Sequence, residues 1–154
     1  MKRRKNSVTD TCPVARSLEI IGDRWSLLIL RNAFDGMRRF GEFQKDLRLS
    51  KSVLTARLQA LLANGVLRMV PGEHGSAYQL YELTEKGRGL FNVMVGLRRW
   101  GEAFLFAPGE DHSLLVERAS GKPIGQLEIR SRAGRLLTST DVVVQKVQTV
   151  GKGS

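Results

Sequence analysis

The chain has 154 residues, 42% of them hydrophobic, and a formal net charge of +10 at pH 7. That length suits one domain with a proper core plus a small appendage, and no apolar run approaches the roughly 18 residues of a transmembrane helix. The basic start MKRRKNSVTD lacks the apolar segment of a secretory signal, and a single cysteine excludes an intrachain disulfide framework. We therefore expect a cytoplasmic protein without a membrane anchor.

The positive charge is concentrated in the first part of the chain. Lys and Arg outnumber Asp and Glu by 18 to 10 over residues 1–106, but only by 7 to 5 over residues 107–154. A polyanion would therefore bind best to the first part, although a basic but inert surface is equally compatible with charge alone. Residues 1–10 form a basic arm, which is either a phosphate-binding tail or an ordinary solvated terminus.

Two helices are predicted directly after the arm. Pro13 suits the first turn of a helix capped by Cys12, and the apolar residues behind it recur at helical spacing. Asp23 is a good cap for a second helix, DRWSLLILRNAFDG. Its large apolar side chains predict the most buried element of the domain, and Gly36 ends it.

A third helix, over about residues 40–47, is followed by a tight turn and a fourth helix over residues 50–64. Leu49-Ser50 makes the turn, Ser50 caps the fourth helix, and Asn64-Gly65 is a left-handed signal that ends it. The fourth helix has an inward stripe formed by Leu54, Leu58, Leu61 and Leu62.

Two short runs rich in branched and aromatic residues come next, VLRMV and AYQLYEL, separated by the turn sequence PGEHGS. They predict a β-hairpin, and residues 66–83 together form a wing. Two helices joined by a tight turn and followed by a wing are a device for laying one helix into the DNA major groove. The order of these elements therefore favours nucleic acid as a partner.

A long fifth helix is predicted from Thr84 to about Phe106. Leu90 and Met94 begin one apolar stripe on it, beside a longer stripe of Val93, Leu97, Trp100 and Phe104. A helix that is apolar on two sides needs two surfaces to cover it. One surface can be its own domain, and the other is most simply a second copy of the chain.

Three segments resemble, in this order, the HxlR family of winged helix-turn-helix regulators, relatives of the MarR type: CPVARSLEIIGDRWSLLILRNAFDGMRRFGEF, SKSVLTARLQALLANGVL and YELTEKGRGL. The resemblance covers about residues 11–106. It implies a mainly α fold with a small β-wing, and a dimeric cytoplasmic transcription factor that binds double-stranded DNA at a promoter. It also implies that the first and last helices of each subunit form the homodimer interface, here through Val14, Leu18, Val93, Leu97, Trp100 and Phe104.

The face of the fourth helix that points away from its leucines carries Lys51, Ser52, Thr55 and Gln59. Positions at the start of a recognition helix reach base edges, and these side chains offer suitable donors and acceptors. Arg57 lies off the inward stripe and either contacts DNA or forms a salt bridge on the helix flank. Family members carry an Arg in the matching LTxRL string, and the resemblance therefore implies the DNA contact.

Residues outside the fourth helix complete the predicted interface. Arg38 and Arg39, with the free N–H groups at the start of the third helix, should lie near phosphates unless they are plain solvated charges. The wing tip carries no Arg or Lys, and its His74 either touches a phosphate or is an exposed turn residue. The predicted DNA contacts are Arg38, Arg39, Ser50, Lys51, Ser52, Thr55, Arg57, Gln59, His74 and Ser76.

Cys12 is the candidate for redox or electrophile sensing. At a helix N-cap, the partial positive charge of the backbone favours the thiolate, and Arg16 one turn on adds to this effect. Its position resembles that of the sensing cysteine of some HxlR proteins, which begin with CPV in the same way. The alternative is an inert, small buried hydrophobic residue. With one cysteine per subunit, a sensor can only pair across the dimer, form a mixed disulfide with a small thiol, or be alkylated.

Residues 107–154 contain β-rich stretches divided by the turns SGKP and RAG. They resemble the C-terminal appendage of longer HxlR members, in which Cys pairs at two turns build a zinc-ribbon-like unit. Here Ala119-Ser120 occupies one of those turns and Arg132-Ala133 the other, so the roughly four ligands of a zinc site are missing. We therefore predict no metal, no cofactor, and a short β-rich hairpin lid beside the fifth helix.

An enzyme is not expected, because no nucleophile–base pair, carboxylate pair or phosphate-binding glycine loop can be assembled. Three function classes remain. The first is a dimeric repressor that recognises a short inverted-repeat operator through helix 50–64 and wing 66–83. The second is the same scaffold acting as a sensor, which releases DNA when an electrophile or another small-molecule effector modifies Cys12. The third is a winged-helix protein-interaction module, which the polar-to-basic face of the fourth helix disfavours.

Overall fold

The computed structural model describes residues 11–75 and 77–147. The basic arm of residues 1–10, Ser76 and the side chain of His74 lie outside the described residues, and what was expected of them stays a prediction. The chain forms two compact units that divide between Met94 and Val95. None of the described helices is long and apolar enough to cross a membrane.

The first unit begins with four helices, three of which start at a side-chain cap that the sequence predicts. Their bounds are α1 (Pro13–Ile21), α2 (Arg24–Phe34), α3 (Phe40–Leu47) and α4 (Lys51–Ala63). Cys12, Asp23 and Ser50 each accept a backbone N–H from the first turn of α1, α2 and α4. These caps satisfy donors that would otherwise lack a partner at the helix start, and the predicted starts of these three helices are therefore confirmed.

The turn between α3 and α4 begins at Arg48, one residue before the predicted Leu49-Ser50. Arg48 is the only non-glycine residue of the described chain with a positive φ, of 51°. A left-handed residue ends a helix abruptly, and glycine usually takes this position. The sequence has no glycine there and thus gives no local signal that the turn already begins at Arg48, although Leu49 and Ser50 do belong to it.

The wing is an antiparallel hairpin of β1 (Leu67–Pro71) and β2 (Gln79–Leu83). Leu67 pairs with Leu83, and both side chains are buried. The wing is also attached to the segment before α3, because the Tyr81 N–H donates to the Arg38 carbonyl at 2.8 Å. The predicted hairpin is therefore confirmed, with its position fixed by a backbone hydrogen bond.

The core of the first unit lies among α2, α3, α4 and the wing. Phe43 of α3 is fully buried, and its ring meets Tyr81 of the wing edge-on, with centroids 6.2 Å apart. A buried amide also joins α2 to α3, because Asn32 accepts from Arg31 and donates to Asp46 at 2.9 Å. The other fully buried side chains of the helices include Ile29, Leu30, Leu54, Leu58 and Leu61.

The prediction of one continuous fifth helix is wrong. The structure has a short α5 (Glu85–Arg88) and a separate α6 (Phe91–Phe104). Gly87 is buried, and a Cβ there would overlap the carbonyl oxygen of Val66, so the chain needs a glycine at this contact. Gly87 and Gly89 together lower the helix propensity, and the chain turns before α6 begins.

The second unit contains most of α6 and the C-terminal extension. Two-residue strands, β3 (Ile129–Arg130) and β4 (Leu136–Leu137), form a small antiparallel pair. Arg99 of α6 donates to the carbonyls of Ile124 and Gly125 at 2.6 and 2.7 Å. The extension therefore packs beside α6, but it is less regular than predicted because its apolar runs are short and divided by turns.

Candidate nucleic-acid interface

The exposed face of α4 brings together most of the side chains predicted to read DNA. Lys51, Ser52 and Gln59 are exposed and Thr55 is half-buried. Of the inward leucines, Leu54, Leu58 and Leu61 are buried and Leu62 is partly buried. The face therefore carries amide, hydroxyl and ammonium groups that can donate hydrogen bonds or, through oxygen, accept them. Such groups match the pattern of donors and acceptors on base edges.

Ser50 has a structural role at the start of the same helix. Its hydroxyl oxygen accepts the Val53 N–H at 3.3 Å and lies 3.3 Å from the Ser52 hydroxyl. A cap of this kind orients the first turn of α4. The sequence predicts that α4 is a recognition helix, and the first turn of such a helix contacts base edges. We infer that Ser50 positions Ser52 as well as offering its own hydroxyl.

Arg57 forms the salt bridge on the helix flank that was the alternative to a DNA contact. Its Nε lies 3.4 Å from Oδ1 of Asp23, which also caps α2. Burial raises the pKa of Asp23, but hydrogen bonds from Ser26 and Trp25 and the charge of Arg57 together hold it below its ordinary value. Asp23 is therefore charged at neutral pH, and a DNA contact of Arg57 would compete with this ion pair.

Arg38 is also ion-paired, so it is not the plain solvated charge that was the alternative to phosphate binding. Its Nη2 donates to Oε1 of Glu82 on β2 at 2.9 Å. The two residues are 44 positions apart in the chain. A pair this distant in sequence leaves no local pattern by which it could be predicted.

The expectation that free N–H groups at the start of α3 bind phosphate needs correction. The carboxylate of Glu42 accepts the N–H groups of both Arg38 and Arg39, at 2.9 and 2.8 Å. These two hydrogen bonds lower the pKa of Glu42, so a negative charge is fixed at this helix end. That charge repels a phosphate, and the guanidinium of Arg39 is left as the main attraction for one.

A cleft of about 1000 Å³ lies between the start of α3 and the wing. Arg39 and Lys45 line one side of it, and neither forms an ion pair with any residue of the described ranges. Tyr78 lines the wing side and is largely exposed. Sequence reasoning missed Lys45 and Tyr78, although an unpaired lysine and an exposed phenol are both chemically suited to contact a phosphate backbone.

The residues predicted for the dimer interface are exposed in the isolated chain. On α1, Val14 and Leu18 are 67% and 58% exposed. On α6, Trp100 and Phe104 are 57% and 72% exposed, and their rings lie 5.9 Å apart between centroids. Val93 and Leu97, on the same face of α6, are also exposed. Helix faces of this apolarity are typical of protein–protein contacts.

The thiol of Cys12 is free and half-buried. Its Sγ accepts the Ala15 N–H at 3.5 Å, as expected for the cap of α1. The thiol is therefore neither fully exposed nor sealed inside the core, and both predictions for it stay open.

Comparisons with known proteins agree on one family. The model of the HxlR-like helix-turn-helix family matches residues 20–108. Rv3095 of Mycobacterium tuberculosis, named as an HTH-type transcriptional regulator, is 36% identical over 129 residues, which are 84% of this chain and 82% of that protein. YdeP of Bacillus subtilis, also named as such a regulator, is 35% identical over 60% of this chain and 73% of its own length.

Solved structures give the same result. The structure of PA1607, described as a candidate transcription factor, is 52% identical with a TM-score of 0.84, covering 89% of this chain and 96% of that chain. The redox regulator HypR in its oxidized form is 31% identical with a TM-score of 0.55, covering 60% and 96%. The predicted winged-helix fold is thereby confirmed, and these relatives are regulators rather than enzymes. The chain belongs to the HxlR-like helix-turn-helix family and is a transcriptional regulator of the helix-turn-helix type.

Proposed function

We propose that the protein is a homodimeric repressor that recognises a short inverted-repeat operator through α4 and the wing. The observation that carries this proposal is the division of α4 into a leucine face turned to the core and a polar face, with exposed Ser52 and half-buried Thr55 at its first turns. A repressor follows most simply from this arrangement, because a protein that occupies promoter DNA excludes other proteins from it.

The dimer in this proposal is built from the exposed apolar residues of α1 and α6. Two copies related by a two-fold axis would cover these faces with each other, as an isologous interface requires. The two α4 helices would then lie roughly 34 Å apart, which is one turn of duplex DNA. An operator with two inverted half-sites at that spacing fits this symmetry.

Substitutions on α4 and at the start of α3 should separate base reading from phosphate binding. Ser52→Ala and Thr55→Ala should relax the preference at particular base pairs, because their hydroxyls would contact base edges. Arg39→Ala should weaken binding to every sequence and flatten the salt slope by about one unit, as a lost phosphate contact does. The measurement is a salt titration of binding by fluorescence anisotropy, on duplexes selected from genomic fragments with the purified protein.

Lys122→Ala is the matched control for Arg39→Ala, because Lys122 is an exposed cation of the C-terminal extension without an ion pair in the described chain. It should leave the slope unchanged. A flat slope for the wild-type protein would instead support the protein-interaction module. Uniform loss of affinity in both classes of variant would show that the face of α4 is wrongly assigned.

A second proposed function is thiol sensing through Cys12. Its support is the half-buried position of the thiol at the cap of α1, together with the similarity of the chain to HypR, which is named a redox regulator. An electrophile or oxidant that modifies the thiol would remove the cap and disturb α1, a helix assigned to the dimer interface. DNA release would follow from the altered dimer.

Treatment with diamide or a quinone should then abolish DNA binding by the wild-type protein. Cys12→Ser should still bind DNA, because serine also caps helices, but it should ignore the oxidant. Mass spectrometry distinguishes a disulfide across the dimer, which needs the two Cα atoms within roughly 7 Å, from a mixed disulfide or an alkylated thiol. Absent thiol labelling in the native protein would mean that Cys12 is inert.

A further inference from the structure

We propose that Glu82 limits the affinity of the wing for DNA by holding the guanidinium groups of Arg38 and Arg68 away from phosphates. This inference rests on the DNA-binding function proposed above and concerns how strongly the wing takes part in it. The three side chains come from adjoining segments of the first unit, namely the start of α3, β1 and β2. We call them the Glu82 cluster.

Both oxygens of the Glu82 carboxylate accept hydrogen bonds from the two arginines. Its Oε1 accepts from Arg38 Nη2 at 2.9 Å, and its Oε2 accepts from Arg68 Nε at 3.0 Å and from Arg68 Nη2 at 2.6 Å. Arg68 therefore donates two hydrogen bonds to one oxygen, and Arg38 donates one hydrogen bond to the other oxygen. Charge-assisted hydrogen bonds at these lengths orient all three side chains.

The backbone brings the cluster together. Arg68 and Glu82 are cross-strand partners in the register of the wing, so their side chains lie on the same face. Arg38 is tied to the adjoining position of β2, because its carbonyl accepts the Tyr81 N–H at 2.8 Å. The positions of both arginines are thus set by the fold, and their pairing with Glu82 sets only where their charges point.

Glu82 is a single carboxylate surrounded by several cations. The hydrogen bonds and charge of Arg68, with the charges of Arg38 and Arg88, lower the pKa of Glu82 despite some desolvation. Glu82 is therefore ionised at neutral pH, and it neutralises one of the two guanidinium groups that it contacts. Replacing it by a neutral side chain of equal size leaves both groups fully charged.

A phosphate can replace the carboxylate, because it offers a guanidinium the same pair of acceptor oxygens. All three side chains are partly exposed to solvent, and ion pairs at such positions contribute little to stability. Arg38 also lines the cleft that contains Arg39 and Lys45, two cations without an ion pair in the described chain. A released Arg38 would add to that group of cations.

The test is a salt titration of binding to a mixed-sequence duplex by wild-type protein and by Glu82→Gln. The glutamine keeps the shape of the side chain and removes the charge. The variant should bind roughly 3- to 10-fold more tightly at 0.1 M salt, with a slope steeper by about one to two units, as expected for one or two new phosphate contacts. Unchanged or weaker binding would overturn the proposal, since a purely structural role predicts weaker binding with no change in slope.

Two further variants separate released arginines from a general change of charge. Glu85→Gln removes an exposed carboxylate that lies two residues after the wing, does not line the cleft and has no ion pair within the described part of the chain. It should change the slope by less than half a unit. Adding Arg38→Gln and Arg68→Gln to Glu82→Gln should abolish the gain. A gain that persists in the triple variant, or that Glu85→Gln reproduces, would contradict the proposal.

The result for the wild-type protein distinguishes a failure of this inference from a failure of the proposed function. A steep wild-type slope with no effect of Glu82→Gln refutes only the role of Glu82. A wild-type protein that does not bind duplex DNA at all refutes the proposed function, and the role of Glu82 falls with it.

Discussion

Trp100→Glu should convert the proposed dimer into a monomer that binds operator DNA at least about a hundredfold more weakly. The indole is 57% exposed in the isolated chain and lies on the apolar face of α6 beside Phe104. A carboxylate at the centre of that face would be buried without a partner, which opposes association. A monomer also loses the second half-site, whose effective concentration is worth a factor of about 10² to 10⁴. Light scattering gives the mass, and fluorescence anisotropy gives the affinity.

Val143→Glu is the matched control for this change. Val143 is 93% exposed and lies in the C-terminal extension, outside the apolar faces of α1 and α6. The control should keep the wild-type mass and DNA affinity. A dimer of unchanged mass for Trp100→Glu would show that α6 is not the interface.

Phe43→Ala should destabilise the first unit by about 3 to 5 kcal/mol, the usual cost of removing a fully buried phenyl ring. Phe43 is fully buried, and its ring contacts Tyr81 of the wing. Its removal would therefore leave a cavity between the helix-turn-helix and the hairpin. Total stabilities of domains are about 5 to 15 kcal/mol, and the variant should therefore be partly unfolded near physiological temperature. Guanidinium unfolding followed by circular dichroism measures the loss.

Tyr78→Ala removes an aromatic ring of similar size from an exposed position of the wing. Its unfolding free energy should stay within about 0.5 kcal/mol of the wild-type value, because exposed substitutions rarely change stability more. Equal losses for the two variants would mean that Phe43 is not part of the core of this unit.

The elements that could be predicted from the sequence are those whose cause is local. The caps Asp23 and Ser50 lie next to the helices that they start, and their side chains bond to backbone groups two or three residues away. The leucines of α4 recur at helical spacing, so the same count that predicts the helix also predicts its buried face. The exposed face that is proposed to read DNA follows directly from this pattern.

The features that could not be predicted depend on residues far apart in the chain. The predicted fifth helix is interrupted after Arg88, and Gly87 just before the break lies against the backbone of Val66, 21 positions earlier. No local pattern reports that contact. The pairing of Arg38 with Glu82 has the same origin. A count of charges predicts that Arg38 contacts DNA, whereas in the structure its guanidinium already forms an ion pair with the carboxylate of Glu82.

The ion pair between Asp23 and Arg57 connects the region next to α1, which is proposed to form the dimer, with α4, which is proposed to read DNA. Only Gly22 separates Asp23 from the last residue of α1, and Arg57 belongs to α4. Asp23 therefore gives the turn after α1 a direct contact with α4, the proposed recognition helix. In the proposed dimer, assembly and operator binding would be coupled, and the coupling would be reciprocal. DNA with correctly spaced half-sites would increase the affinity of the two subunits for each other by the same factor by which dimerisation increases the affinity for DNA.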